Sequence, residues 1–150
     1  MVVRLEFTSS FEALDIVQIV SDHVGRTLGL DDDTQLDVGV ALRESVINAI
    51  RHGNRGDASK HVFVAFSTEN LADAFELVIR VRDQGEGFDP AAVADPLAPE
   101  NLLKSSGRGI FLIRRFMDDV QLIGAPEGGM EIRMVKRVPF GGPAGGRARL

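Results

Sequence analysis

Glu44 and Asn48 stand four residues apart in the stretch ALRESVINAIRHGN. On a helix that interval leaves both side chains on one stripe, about 40° apart around the axis, with His52 one turn further along. A carboxylate so placed can accept a proton, and an asparagine carbonyl oxygen is a hard ligand that suits magnesium, which keeps several waters and uses few protein groups. Taken alone, the pair equally describes an exposed helix stripe. The run DQGEGFD at residues 83–89 adds a second group of polar and glycine positions. Asp83, at the end of a strand-forming run, can accept a hydrogen bond from an exocyclic amine such as that of adenine, while Gly85 and Gly87 permit backbone shapes or close approaches that side chains forbid. A plain glycine turn after a strand has the same composition. The third group is SSGRGIFL at residues 105–112, a glycine-rich turn that runs into a helix. Backbone amides around Ser106, Gly107, Arg108, Gly109 and Ile110, with the positive end of the helix dipole, suit phosphate, and Lys104 or Arg108 adds charge. The sequence has no GxxxxGK[ST] phosphate loop and no GxGxxG dinucleotide fingerprint, which excludes those two routes to nucleotide binding.

These groups need elements to hold them. Residues 2 to 8 alternate, with Val3, Leu5 and Phe7 on one side, as a strand does. Ser9 or Ser10 is placed to cap a helix that runs from Phe11 to about Leu28, with Leu14, Val17, Ser21, Val24 and Leu28 on one face and Gly29 at its end. Asp31, Asp32 and Asp33 open a second helix, which passes through Leu36, Val40, Ile47 and Ile50 and stops at Gly53. Residues 61–67 and 75–83 read as an antiparallel strand pair. Three prolines make residues 89–106 mostly irregular, a candidate lid. A helix over 110–117 and strands over 119–125 and 130–138 follow, the strands joined by a turn at EGG. The last twelve residues, PFGGPAGGRARL, are expected to form a flexible tail, which leaves 1–138 as one domain.

Composition narrows the function classes. With 150 residues, 44% of them hydrophobic and 26% charged, the chain matches an ordinary folded domain. Seventeen Lys and Arg against 22 Asp and Glu, a formal charge of -5, provide no global basic field for sequence-independent nucleic-acid binding. No cysteine is present, so disulfides, thiolate nucleophiles and zinc-thiolate sites are all excluded, and three scattered histidines make no metal cluster. No apolar run approaches the roughly 18 residues of a membrane span. The N-terminus lacks a signal-peptide pattern, so a cytoplasmic location without membrane contact is expected.

The joint order is more specific than any part: a helical ExxxNAxxHG, a strand-terminal DxGxGF, a proline-rich segment, then GRG opening a helix. Over residues 4 to 137 the chain resembles the GHKL, or Bergerat-fold, ATP-binding superfamily, and within it the anti-sigma-factor serine/threonine kinases. ALRESVINAIRHGN is similar to their N box, DQGEGFD to their first glycine box and SSGRGIFLIRRFMDDV to their second. The resemblance implies an α+β fold, a two-layer α/β sandwich whose mixed, mostly antiparallel sheet is covered on one face by helices, with ATP held between helices and lid. It implies that Glu44 is the general base, Asn48 the magnesium ligand and Asp83 the adenine reader. Gly85 and Gly87 would let the backbone pass the base, and Gly107, Arg108 and Gly109 would form the phosphate end. His52 would lie near the phosphates or serve the helix end.

Two departures stand out. Where family members commonly carry a threonine whose hydroxyl helps hold adenine, this sequence has Met130, and a thioether donates no hydrogen bond. No arginine immediately precedes Ser106, so Lys104 or Arg108 would supply the cation. By resemblance the chain is expected to be an anti-sigma factor and kinase that uses Mg2+ and ATP, binds a sigma factor, phosphorylates a STAS-domain anti-anti-sigma protein and forms a homodimer. The alternative is a regulatory module that binds ATP without transferring phosphate. The ATP-binding piece of a histidine kinase fits less well, because His23 lies inside the first helix of the fold.

Overall fold

The structure, a computed structural model, describes residues 1–86, 107–126 and 128–140. Strand β1 (Val2–Thr8) leads into helix α1 (Ala13–Leu28), then α2 (Asp32–Asn48), which continues as a five-residue π-turn at Ala49–Gly53. Strands β2 (His61–Asn70) and β3 (Ala74–Arg82), helix α3 (Gly107–Phe116) and strands β4 (Asp119–Gly124) and β5 (Met130–Pro139) follow. The strands lie in the order β1-β2-β3-β5-β4. Every pairing is antiparallel, so the sheet, expected to be mixed, has no parallel pair among the described residues. The α+β sandwich itself is as expected.

Alternation along the strands sends one set of side chains toward the helices. Val62, Val64 and Phe66 of β2 stand beside Val81 and Ile79 of β3, which in turn stand beside Ile132 and Met134 of β5, and all are buried. Leu14, Val17, Val24 and Leu28 of α1 and Ile113 of α3 close over this face. Ser21 is buried in the same stripe of α1, as its spacing requires. Among the described residues no helix is long and apolar enough to cross a membrane.

Three local expectations are corrected. Ser9 caps nothing: α1 begins at Ala13, Ser10 Oγ accepts from Glu12 N at 3.3 Å, and Ser9 Oγ donates to Lys60 O at 2.9 Å in the interior. The inward face of α2 is Val38, Ala41, Leu42, Ser45 and Val46, while Leu36 is 66% exposed. Ala41 and Ser45 on that face carry little hydrophobic signal. The ordered chain also runs past residue 138. Pro139 pairs with Ala74, Phe140 N donates to Asp73 O at 3.0 Å, and the Phe140 ring lies against Phe75. Residues 141–150 and the candidate lid at 89–106 lie outside the described residues.

Candidate functional site

Asp31 starts the helix that carries the first polar group: its carboxylate accepts from Thr34 N at 2.7 Å, capping α2. After its seventeen residues α2 widens into the π-turn, a rare geometry that concentrates at functional sites. Glu44 and Asn48 lie on the stretch of α2 that faces the start of α3. A β-carbon on Gly109 would sit 3.1 Å from Glu44 Oε2, 3.1 Å from Asn48 Nδ2 and 3.3 Å from Asn48 Oδ1. The absence of that carbon lets the first turn of α3 come down on the pair. Asn48 Nδ2 is buried with no hydrogen-bond partner among the described residues. A buried amide in that state is costly unless a ligand completes it.

The second polar group lies at the end of β3. Asp83 Oδ1 accepts from Gly85 N at 2.9 Å and from Met130 N at 3.1 Å, and Asp83 N donates back to Met130 O at 3.0 Å. Asp83 is only 6% exposed. Burial pushes its carboxyl above the ordinary aspartate range, while the two amides and the charges of Lys60 and Arg82 pull the other way. Three chain segments crowd this residue. A β-carbon at Gly53 would fall 2.0 Å from Asp83 Oδ2, one at Gly129 2.1 Å from Asp83 O, and one at Gly85 2.0 Å from Gly53 O. Gly129 also holds a positive φ of 84° in the β4–β5 turn.

Between the two groups lies a cavity of about 250 Å³, lined by Asn48, His52 and Asp83 among polar residues and by Val81, Ile110, Leu122, Met130 and Ile132 among apolar ones. A mostly apolar slot with polar groups at its ends suits a flat heteroaromatic ring. Asn48, His52, Asp83 and Ile110 therefore share one cavity, and Gly85 and Gly109 abut its polar residues. Glu44 is not on the cavity wall but behind Gly109, half-buried. Gly107 opens α3. Gly87, Lys104 and Ser106, with the side chain of Arg108, lie outside what the structure describes.

Sequence reasoning missed Gly53, Asn54, Arg55 and Gly129. Arg55 lines the cavity with a positive φ of 53°, and the signal for this corner is the run HGNRG, which by itself reads only as a helix stop. At Gly85 the missing side chain makes room for the Gly53 carbonyl. At Met130 the side chain lines the cavity while the backbone amide serves Asp83.

The fit to Mg-ATP rests on these donors. Asn48 Oδ1 provides one hard oxygen, and among the described residues no three His, Asp or Glu side chains cluster to hold a metal. That donor set suits magnesium carried largely by phosphates and waters.

A family model described as the histidine kinase-like ATPase domain matches residues 7–136. The serine-protein kinase RsbW of Staphylococcus epidermidis is 29% identical over 142 residues, covering 91% of this chain and 86% of the relative. The anti-sigma F factor of Oceanobacillus iheyensis is 33% identical over 110 residues, 71% of each chain. A crystal structure of the RsbU and RsbW domains of a Mycobacterium tuberculosis protein has the same fold, with a TM-score of 0.66 at 16% identity. It is matched over 92% of this chain, which spans 32% of that longer one.

Proposed function

Since the chain belongs to the histidine kinase-like ATPase domain family, we propose that it is an anti-sigma factor and protein-serine/threonine kinase that uses Mg-ATP. Its substrate would be a STAS-domain anti-anti-sigma protein, and phosphorylation would stop that protein from displacing a bound sigma factor. The observation that carries the reading is the packing of Gly109 onto both Glu44 and Asn48, beside a cavity that Asn48 and Asp83 line together.

Within that reading, Asp83 accepts the exocyclic amine of adenine, held in place by the amides of Gly85 and Met130. Asn48 would hold magnesium through Oδ1, and a bound ion would supply charge neutralisation at the phosphates. The first turn of α3 directs its amides at the phosphate end. Glu44 takes the proton from the acceptor hydroxyl of the partner, which makes that oxygen nucleophilic. Gly87 would let the backbone pass the base, Lys104, Ser106 and Arg108 would complete the phosphate end, and His52 would lie near it. Residues 1–140 form the ATP-binding domain, the last two through their pairing with Ala74 and Asp73, and the protein acts as a homodimer in the cytoplasm.

Incubation with Mg-ATP and the STAS partner is the test. Phosphoserine or phosphothreonine on the partner is expected, and its absence overturns the kinase reading. Met130, a thioether where relatives commonly carry a hydroxyl, favours a second reading in which ATP is held but not transferred. Nucleotide would then control partner affinity alone.

A further inference from the structure

Asn54 is completely buried, and every polar atom of its side chain is used. Nδ2 donates to Ser9 Oγ at 2.7 Å and to His61 O at 2.9 Å, while Oδ1 accepts from Gln84 N at 2.8 Å. Its own backbone amide donates to Ala49 O at 2.8 Å and closes the π-turn. Around it, Ser9 Oγ passes its hydrogen to Lys60 O at 2.9 Å, and His61 N donates to Gln84 Oε1 at 2.7 Å. One amide thus ties the end of β1, the start of β2, the π-turn and the residue that follows Asp83.

We propose that Asn54 is the positioning residue for base recognition, acting through Asp83 from both sides. Its Oδ1 fixes the Gln84 amide, and with it the turn that aims the Asp83 carboxylate. Its backbone holds the π-turn that presses Gly53 against Asp83 Oδ2. The role requires an amide. An aspartate here would present acceptors to the His61 carbonyl, and an alanine would leave the Gln84 amide without its protein partner. Asn54 does not line the cavity, so it works without touching ligand. The inference rests on the reading of Asp83 as the group that meets the exocyclic amine.

The test compares ATP with purine riboside triphosphate, which lacks that amine, by calorimetry in the presence of magnesium. Wild-type protein is expected to prefer ATP, and Asn54→Ala to lose about tenfold of ATP affinity while its affinity for the purine analogue stays unchanged. In the Asp83→Asn background, Asn54→Ala is expected to cost nothing further for ATP. Equal losses for both nucleotides would show a general structural role and overturn the inference. Should Asn54→Ala fail to fold, Ser9→Ala removes the acceptor of one Nδ2 hydrogen, and the preference for ATP is expected to fall by about two- to threefold. An unchanged preference in that variant overturns the inference equally. A wild-type protein that binds neither nucleotide, or both alike, overturns instead the reading of Asp83 on which it rests.

Discussion

Gly53 and Asp83 meet so closely that a β-carbon on the glycine would fall 2.0 Å from Oδ2 and 2.3 Å from Cγ of the carboxylate. Asp83 is pinned on its other side by the Gly85 and Met130 amides, so it has little room to yield. Gly53→Ala is therefore expected to displace the carboxylate and reduce ATP affinity by about tenfold or more. Gly56 provides the control. It holds a positive φ of 69°, and a β-carbon there would meet nothing within 4 Å, so Gly56→Ala should cost about 1 kcal/mol of stability through backbone strain and leave ATP affinity unchanged. Calorimetry with ATP and thermal melts of both variants distinguish the two effects.

How much of this was legible in the sequence depends on the range of the contact. The stripe Leu14, Val17, Ser21, Val24 and Leu28 is periodic within one helix, and it is buried as its spacing requires. Glu44 and Asn48 were readable for the same reason, since an interval of four fixes them on one stripe. The surroundings of Asp83 were not. Gly53 and Gly129 come from segments distant in sequence, and only the assembled fold brings them onto Asp83. Asn54 was hidden likewise: three hydrogen bonds to Ser9, His61 and Gln84 leave no periodic trace. Along α2 and its π-turn the sequence showed Ile50, which is buried, and not Ala41 and Ser45, whose small side chains carry little hydrophobic signal.

Beside the cavity, Gly109 tests how tightly the start of α3 must dock. An added β-carbon would meet Glu44 and Asn48 at 3.1 to 3.3 Å, a crowding that a few tenths of an ångström relieves. Gly109→Ala is expected to leave ATP affinity within about threefold and to slow phosphoryl transfer about tenfold or more, because the reacting groups are displaced without losing the base contact. Single-turnover kinetics at saturating ATP read the difference. Equal losses in both quantities would contradict a separation between base-binding and transfer ends.

Glu44 stands behind Gly109 and off the cavity wall, where it would meet an approaching hydroxyl and not the nucleotide base. Glu44→Gln keeps shape and removes basicity. ATP affinity should stay within about threefold while partner phosphorylation falls by a factor of about 10² to 10⁴, the range for loss of a general base. A Glu44→Gln protein that still regulates its partner fully would favour control by nucleotide binding alone.

The buried Asp83 carboxyl makes two pH dependences of opposite sign. Its pKa is raised in the folded protein, chiefly by burial, above the value it has in the unfolded chain. Below the unfolded value both states are protonated and the group costs nothing. As pH rises through the folded value the buried carboxyl must ionise, and stability is lost. The melting temperature of wild type relative to Asp83→Asn should therefore fall between acid and neutral pH, with the asparagine variant the more stable at pH 7. Base recognition runs the other way, because the ionised carboxylate accepts from the adenine amine more strongly than the protonated acid does. ATP affinity should rise with pH through the same raised value, and that rise should disappear in Asp83→Asn. Purine riboside triphosphate corrects for titration of the phosphates, since it shares them and lacks the amine. Melts and calorimetry across one pH series check both trends, and two trends of the same sign would exclude Asp83 as their common source.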